Sequence, residues 1–163
     1  MKSLRHNEKG AAVIEFAILL LLLMPLLFGI IEFGFLWAQS HYLSHATREG
    51  ARAGARIATY DSETKTITNL AAVRVAVTTS VNACLETAPF YAGRVDDISD
   101  ISAPTLVFFG STQPALEVRV TVNSSAIWPP MLWQLLNLLP SSEGQHSDIK
   151  ELNDTAVFAI TSH

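Results

Sequence analysis

The chain has 163 residues, a formal net charge of −4 and a single cysteine. The acidic balance argues against nucleic-acid binding, which needs a basic face to displace counterions. One cysteine excludes an intrachain disulfide framework and a multi-thiolate zinc site. The apolar fraction of 49% is ordinary but unevenly placed, because residues 16–31 contain neither a charge nor a hydroxyl group. This distribution is typical of a chain with a membrane segment.

The first predicted element is a transmembrane helix over residues 11–38. Only Glu15 and Glu32 interrupt its apolar character, and about 20 apolar residues suffice to cross the hydrocarbon core of a bilayer. A helix of a soluble protein does not carry leucine on every face, because one face must meet water. A removable secretory signal is rejected as the alternative, since its apolar region would be shorter and would end in a small-residue cleavage site.

The charges that flank this span give a weak indication of its topology. Basic residues occur on both sides in equal number, so the rule that basic residues stay inside does not decide the orientation. These residues are Lys2, Arg5 and Lys9 before the span and Arg48, Arg52 and Arg56 after it. The short leader and the large acidic carboxy-terminal portion favour an inside amino terminus and an outer carboxy-terminal domain.

Glu15 is the residue of this helix that most needs an explanation. A carboxylate inside a membrane helix costs a few kcal/mol and commonly marks a pairing partner or a functional site. The partial positive charge of the helix amino terminus is one compensation. A peptide bond cut after Gly10 is another, because it creates an amine at Ala11, one turn away or at the same level on a neighbouring subunit. The remaining alternative leaves Glu15 at the headgroup level, protonated or snorkelling.

Residues 39–59 are predicted to continue the helix as a stem outside the membrane. Four small residues recur every four positions and form one stripe on this helix; they are Ala46, Gly50, Gly54 and Ala58. A glycine costs up to about 1 kcal/mol in a free helix, so the two glycines indicate a closely packed neighbour. That neighbour is either the helix of another subunit or the outer domain of the same chain, and both alternatives stay open.

Residues 60–163 are predicted to form an outer domain of α+β class. Residues 61–66 are predicted as a polar connector and residues 67–85 as a second helix, although the valines of that segment also suit a strand. Alternation and turn residues predict strands at 105–109, 116–123 and 155–161, with a turn at 110–114. The predicted fold is a long amino-terminal transmembrane helix that extends into a stem, followed by a small antiparallel sheet.

Three motifs in the amino-terminal part of the chain resemble a known family. Gly10 to Phe16 has the pattern G-x-x-x-x-E-F before an apolar helix, residues 29–34 are GIIEFG and residues 46–53 are ATREGARA. The first motif resembles the cleavage region of type IV prepilin-like proteins. All three in this order resemble the TadE-like family, which are pseudopilins of the tight adherence (Flp pilus) secretion machinery.

This resemblance implies a pilin-like fold and a prepilin peptidase that cuts between Gly10 and Ala11. It also implies that Glu15, followed by Phe16, neutralises the new amino terminus of an adjacent subunit during assembly. The implied location is the bacterial inner membrane, with the lipid bilayer and sibling pseudopilin or pilus-assembly subunits as partners. Loss of residues 1–10 would lower the basic residues from 11 to 8 and the acidic residues from 15 to 14, a net charge of −6.

The remaining polar residues predict no catalytic or metal site. His41 and His45 have a spacing that could hold a metal ion, but no third ligand is near in sequence, and a solvated helix face is the preferred interpretation. Asp96, Asp97 and Asp100 are predicted as a polar turn rather than as calcium ligands. We expect no cofactor, no small-molecule substrate and no enzymatic activity.

Two further features of the outer domain have alternative interpretations. Cys84 is either buried or bridges two molecules in an oxidising compartment, and burial is preferred. Residues 128–133 and 135–139 are apolar and include two tryptophans. We predict that they form an internal helix that caps the sheet, with a membrane surface or protein contact as the alternative.

The sequence as a whole predicts a non-enzymatic, membrane-anchored, pseudopilin-like subunit that assists assembly or secretion of a Flp-type adherence pilus. The alternative is an uncleaved single-pass anchor that presents a small binding module to the envelope or to an extracellular ligand. The two differ in the first residue of the protein recovered from membranes, which is Ala11 for the pseudopilin and Met1 for the static anchor.

Overall fold

The computed structural model of the chain describes residues 8–110, 113–127 and 151–160. It divides into two compact units, the first of which includes residues 8–35 and the second residues 36–127 and 151–160. A long apolar helix followed by small antiparallel sheets confirms the predicted α+β class.

Helix α1 extends from Glu8 to Ile57 and has 50 residues, with Pro25 in its interior. The predicted membrane span and the predicted stem are therefore one element. Arg56 lies in the last turn, where a cation interacts favourably with the helix dipole. The amide of Ala58 donates to the carbonyl of Gly54 at 3.0 Å and closes the helix.

Helix α2 extends from Leu70 to Glu86, so the ambiguous segment is a helix. Its buried residues recur every four positions and include Val73, Val77 and Val81. Val75, which a strand would place on the same face as Val73 and Val77, is 66% exposed. The four-residue spacing therefore determines the structure of this segment, and the period of two does not. The Thr87 hydroxyl ends the helix by donating to the carbonyl of Cys84 at 2.6 Å.

Strands β1 (Tyr60–Asp61) and β2 (Thr66–Ile67) form a short hairpin where a polar connector was predicted. The Asp61 carboxylate accepts hydrogen bonds from the Thr64 hydroxyl at 2.8 Å and from the Glu63 amide at 2.9 Å. These bonds hold the pKa of Asp61 below its usual value. The prediction was wrong here because an aspartate that bonds its own following backbone makes a turn without any apolar pattern.

The main sheet follows in chain order, with two short helices beside it. Its elements are α3 (Val95–Ile98), β3 (Ser99–Ile101), β4 (Thr105–Phe109), β5 (Gln113–Asn123), α4 (Ser124–Ile127) and β6 (Glu151–Ala159). Strand β5 pairs antiparallel with all three other strands. Residues 115–117 pair with both β4 and β6, and residues 120–122 pair with both β3 and β6. Strands β3 and β4 therefore lie along one side of β5, and β6 lies along the other.

The alternating residues of β5 place its apolar face in the core. Leu116, Val118, Val120 and Val122 are fully buried in one cluster with residues of α1 and α2. Strand β5 includes Gln113 and Pro114, which were predicted as turn residues. Strand β6 starts and ends earlier than the predicted 155–161, because its polar first half pairs with β5 although it buries little.

Candidate functional site

The predicted cleavage position lies in the first turns of α1. Gly10 and Ala11 are both exposed, and a Cβ atom on Gly10 would have nothing within 4 Å. A methyl group at Gly10 would therefore contact none of the described residues. Packing among the described residues does not require glycine at this position.

The carboxylate of Glu15 lies on the exposed surface of α1, one turn beyond Ala11. Among the described residues, Glu15 makes no hydrogen bond and no ion pair. The neighbouring Phe16 is 64% exposed. The described part of the subunit therefore supplies no partner for this charge.

The amino-terminal half of α1 is long and apolar enough to cross a membrane, and none of its most apolar window is buried within the structure. Its most exposed large side chains lie on every face of the helix. They are Val13, Ile14, Phe16, Ile18, Leu19, Leu21, Leu22, Ile30 and Phe33. A helix that is apolar all round is typical of one surrounded by lipid or protein.

The stripe of small residues on α1 packs within the chain, against α2 and β5. Ala46 is fully buried, and Ala58 is 8% exposed. A Cβ atom on Gly54 would lie 2.6 Å from both Leu116 Cδ2 and Val77 Cγ2, and one on Gly50 would overlap the side chain of Val81. Of the two neighbours that the sequence left open, the structure therefore supplies the outer domain of the same chain.

Helices α1 and α2 run antiparallel along this contact. Gly54 of α1 faces Val73 near the start of α2, and Gly50 faces Val81 further along. His45 then reaches Cys84 in the last turns of α2. Residues later in α2 therefore contact residues earlier in α1. The carboxyl end of α2 lies beside the first residues of the stem.

The segment after α2 extends further toward the amino-terminal end of α1 and contacts this helix near Gln39. The buried hydroxyl of Tyr91 donates to the backbone carbonyl of Gln39 at 3.3 Å, and burial raises the pKa of Tyr91. Phe90 packs edge-on against Tyr42 with ring centroids 5.3 Å apart. Gln39 is itself fully buried, and its side-chain nitrogen and oxygen have no hydrogen-bond partner among the described residues.

Cys84 forms a small polar cluster with residues of α1. Its Sγ atom lies 3.0 Å from Nδ1 of His45, and the thiol donates this bond when the imidazole proton is on Nε2. Burial raises the pKa of the Cys84 thiol, and the carboxylate of Glu49 raises it further. The thiol is half-buried rather than fully buried. This environment stabilises the neutral thiol and disfavours the nucleophilic thiolate.

The other predicted polar clusters do not converge. His41 stacks on Trp37, whereas His45 bonds Cys84, so the two imidazoles have separate partners. The predicted polar turn around Asp96, Asp97 and Asp100 was wrong in its structure, because these residues form α3 and β3. Within the described part of the chain, no group of three or more histidine, cysteine, aspartate or glutamate side chains is arranged to hold a metal ion.

The comparisons with known proteins find a family match in the amino-terminal part of the chain. Residues 10–52 match the TadE-like protein family. This match confirms the resemblance seen in the three motifs, and it reaches from Gly10 to the Arg52 of the third motif. No curated protein and no solved structure matches the chain. We refer to residues 10–52 as the TadE-like segment.

The third motif of the TadE-like segment has a clear structural role in this chain. Ala46, Thr47, Gly50 and Ala51 are buried against the outer domain, and Arg48 and Arg52 alternate with them on the exposed side. Arg52 makes a loose ion pair with Glu49 at 4.0 Å. The motif therefore encodes a packing face with a basic outer edge, and this face connects the segment to the rest of the chain.

Two site residues have no signal in the sequence. Gln39 follows an apolar stretch and precedes polar residues, so it looks like an ordinary boundary residue, and Tyr91 lies in a turn. Gln39 and Tyr91 come together only because α2 packs antiparallel to α1. The predicted cap at residues 128–133 and 135–139 lies outside the described residues.

Proposed function

We propose that this protein is a membrane-anchored, pseudopilin-like subunit that assists assembly or secretion of a Flp-type adherence pilus, without enzymatic activity. The observation that carries the proposal is the TadE-like match over an exposed apolar helix. In this proposal α1 anchors the subunit in the bacterial inner membrane with a cytoplasmic amino terminus. Residues 39–59 form the stem, and residues 60–163 form the periplasmic domain.

The leader, residues 1–10, is removed by a prepilin peptidase in this proposal. The open surroundings of Gly10 support it, because no packing within the described part of the subunit blocks approach to the bond before Ala11. The peptidase then determines the residue at this position by its own steric limits. Cleavage leaves an α-amine on Ala11 at the membrane surface.

Glu15 then acts as an assembly residue, with the exposed ring of Phe16 beside it. A carboxylate without a partner is costly in hydrocarbon, and Glu15 has none among the described residues. The amine of Ala11 on an adjacent subunit offsets this charge when two anchors lie side by side. Sibling subunits cover the same apolar surface, so burial and charge pairing favour the same contact.

The amino-terminal residue of the protein tests the processing step. Mass spectrometry of the protein extracted from membranes of the native host should give Ala11 as the first residue. Gly10→Leu should retain Met1, because the larger side chain obstructs the peptidase. Gly34→Leu is the matched control, since Gly34 is equally open within the chain, and it should be processed normally. Recovery of unprocessed wild-type protein would support the static anchor instead.

A charge series at Glu15 tests the assembly step. Glu15→Ala and Glu15→Gln should insert and be processed but should lower the yield of sheared pili, whereas Glu15→Asp should retain most of it. Glutamine keeps the size and polarity of glutamate, so an equal loss in Gln and Ala variants assigns the effect to charge. A normal yield from Glu15→Gln would remove the charge-pair proposal.

A further inference from the structure

We infer that the second compact unit binds a second copy of this chain head to tail, with a basic face of α1 in one copy against an acidic groove on the main sheet of the next. Both surfaces lie within that one unit, so the inference uses no orientation relative to residues 8–35. It goes beyond the proposed function, because it pairs two outer domains rather than two anchor helices.

The basic surface is a row of exposed arginines on the stem, which we call the arginine face. Its members recur every four residues and are Arg48, Arg52 and Arg56. Gly50 and Gly54, which pack on the core, lie between them in sequence and therefore on the opposite side of the helix. From its first to its last residue the face spans about 12 Å along α1 at 1.5 Å per residue.

The arginine face has little compensating charge within the chain. Among the described residues, Arg48 and Arg56 form no ion pair, and Arg52 forms only the loose pair with Glu49 at 4.0 Å. The face therefore presents positive charge to whatever binds it.

The acidic surface is an open cavity of about 160 Å³, which we call the acidic groove. Its lining residues include three exposed carboxylates, from α3, β3 and β6, and neither lysine nor arginine. They are Asp97, Asp100 and Glu151, with Ser99, Thr121 and Asn123. Among the described residues these carboxylates form no ion pair and no group arranged to hold a metal ion. Their charge is therefore open to basic side chains.

The acidic groove lies on the face of the main sheet that is turned away from the helices. Val120 and Val122 of β5 are fully buried in one cluster with residues of α1 and α2, so Thr121 and Asn123 point to the other face. Directly paired residues share a face of the sheet. The pairs are Asp100 with Thr121 and Glu151 with Asn123. Both carboxylates therefore lie on the outer face.

The two surfaces lie on opposite sides of the unit. A Cβ atom on Gly54 would lie 2.6 Å from Leu116 Cδ2, so α1 covers the inner face of the sheet and the arginine face points away from it. Translation of one copy across these layers brings its arginine face to the acidic groove of the next. Translation without rotation also keeps the two copies parallel, as two chains inserted in one membrane require. A heterologous contact of this kind can repeat into a row.

The spacing of the charges on the two surfaces matches. Strands β3 and β6 lie on either side of β5, which separates Asp100 from Glu151 by about 10 Å across the sheet. Their partners Thr121 and Asn123 are two residues apart, which adds about 7 Å along the strands. The two backbone positions are therefore about 12 Å apart, equal to the length of the arginine face.

A second copy is the occupant that charge complementarity favours. Guanidinium groups pair with carboxylates in bidentate geometry, and opposite charges on facing surfaces steer association and fix its register. Each copy supplies both surfaces, so one contact neutralises both. Anionic lipid would pair with the arginine face but would leave the acidic groove without a partner.

Carbodiimide cross-linking of the full-length chain in detergent tests the contact directly. The reagent joins a lysine amine to a carboxylate with loss of water, so Arg52→Lys keeps the charge and makes the arginine face reactive. Equal amounts of chain labelled with ¹⁴N and with ¹⁵N are mixed, and cross-linked peptides are identified by mass spectrometry. Arg74→Lys is the matched control, because Arg74 is an exposed arginine on α2.

Peptides of mixed isotope should join the lysine introduced by Arg52→Lys to Asp97, Asp100 or Glu151, at several-fold higher yield than for Arg74→Lys. Equal yields from the two variants would overturn the inference. Links within a single chain only would also overturn it, because another part of the same chain would then cover the arginine face. Ala11 as the first residue, together with either negative result, would leave the proposed function intact.

Reversal of charge in pairs of copies provides a second test. One variant carries Arg48→Glu and Arg52→Glu, and the other carries Asp97→Lys and Asp100→Lys. Each alone should sediment as a monomer in detergent, because its two surfaces then have the same sign. An equimolar mixture should associate again, since each surface of one variant complements a surface of the other. Arg74→Glu is the control and should associate like the wild type.

Association of the wild type should weaken several-fold as salt rises from about 0.05 to about 0.5 M, because salt screens exposed charges. Association that persists in both charge-reversed variants would contradict the contact, as would a mixture of folded variants that stays monomeric. If the wild type does not associate and the arginine variant instead loses phosphatidylglycerol from mixed micelles, the arginine face binds lipid and the inference is overturned.

Discussion

Gln39 is fully buried, and its side-chain amide makes no hydrogen bond to the described residues. Leaving a buried polar group unpaired costs about 1–3 kcal/mol, so burial of an unpaired Gln39 amide would lower the free energy of unfolding by that amount. Nothing in its sequence context signals this arrangement, because the amide is buried only once residues distant in sequence pack around it. Such costs depend on tertiary contacts and are invisible in a local pattern.

We predict that Gln39→Leu stabilises the protein by about 1–2 kcal/mol, because leucine has a similar volume and no polar atom to desolvate. Thermal unfolding in detergent, followed by circular dichroism, should show a higher midpoint. Gln113→Leu makes the same change at an exposed position and should shift the midpoint little. A lower midpoint for Gln39→Leu would show that the amide has a partner in solution.

Cys84 was predicted as buried and is half-buried beside His45. We predict that iodoacetamide alkylates Cys84 more slowly at pH 8 than a solvent-exposed thiol. The raised pKa of Cys84 lowers the thiolate fraction at that pH, and the thiolate is the reactive form. The comparison protein carries Ala83→Cys in a Cys84→Ser background, since Ala83 is the exposed neighbour on α2.

Glu49→Gln should accelerate alkylation of Cys84, because the nearby carboxylate contributes to the raised pKa. The same substitution should leave the alkylation rate of the Ala83→Cys comparison protein nearly unchanged if the effect is specific. Equal rates for the native thiol and for the thiol introduced by Ala83→Cys, both with Glu49 intact, would disprove the proposed effect of burial.

At the scale of elements, the contact between α1 and α2 depends on two glycines. We predict that Gly54→Ala destabilises the outer domain by about 1–3 kcal/mol, since the added methyl group overpacks the core. Its Cβ would lie 2.6 Å from Val77 Cγ2 and from Leu116 Cδ2. Chemical unfolding in detergent measures the loss, and Gly34→Ala, which meets nothing within 4 Å, should leave the transition unchanged.

A second substitution tests the direction of this contact. Val77→Ala removes one of the two methyl groups that Gly54→Ala would meet. The double variant should therefore lose less stability than the sum of the single losses, which a double-mutant cycle measures. Additive losses would show that Val77 does not face Gly54.

Elements in which apolar residues recur at a regular spacing were predictable from the sequence. Elements that depend on side-chain hydrogen bonds or on long-range strand pairing were not. The apolar span, α2 and β5 follow from their spacing, as Val73, Val77 and Val81 show for α2. The β1–β2 hairpin and β3 were missed because they are short and polar. Pairing with Thr121 and Val122 of β5 makes β3 a strand, and no local pattern reports such a long-range pair.

At the scale of the molecule, Tyr91 connects the segment after α2 to α1. Its raised pKa means that the unfolded chain ionises at lower pH than the folded protein. Stability is therefore unaffected below about pH 10, the ordinary pKa of tyrosine, and it falls as the pH rises further because only the unfolded state gains from ionisation.

We predict that Tyr91→Phe reduces the loss of folding stability at high pH. The variant should be less stable near neutral pH by about 0.5–1.5 kcal/mol, since it lacks the hydrogen bond to Gln39. Between about pH 9.5 and 11, on either side of the ordinary tyrosine pKa, its stability should fall less steeply than that of the wild type, as urea unfolding at each pH would measure. Identical slopes would show that Tyr91 ionises freely in the folded protein.

The site is only partly predictable at this scale. Gly10, Ala11, Glu15 and Phe16 were selected from a motif, and the structure adds that their surroundings are open. The stripe of small residues was predicted to have a neighbour, but its identity required the fold, because alanine and glycine accept a helix of the same chain as readily as one of another chain.

The small-residue face of α1 also has a consequence for biosynthesis. Ribosomes complete α1 before α2 and β5, so residues 46–58 emerge before the valines that cover them are translated. Alanine and glycine expose little apolar area before their partners are synthesised. The bulky residues of the contact, such as Val77 and Leu116, are synthesised later. The nascent chain thus exposes the less apolar half of this contact first, which lowers its tendency to associate before α2 and β5 are made.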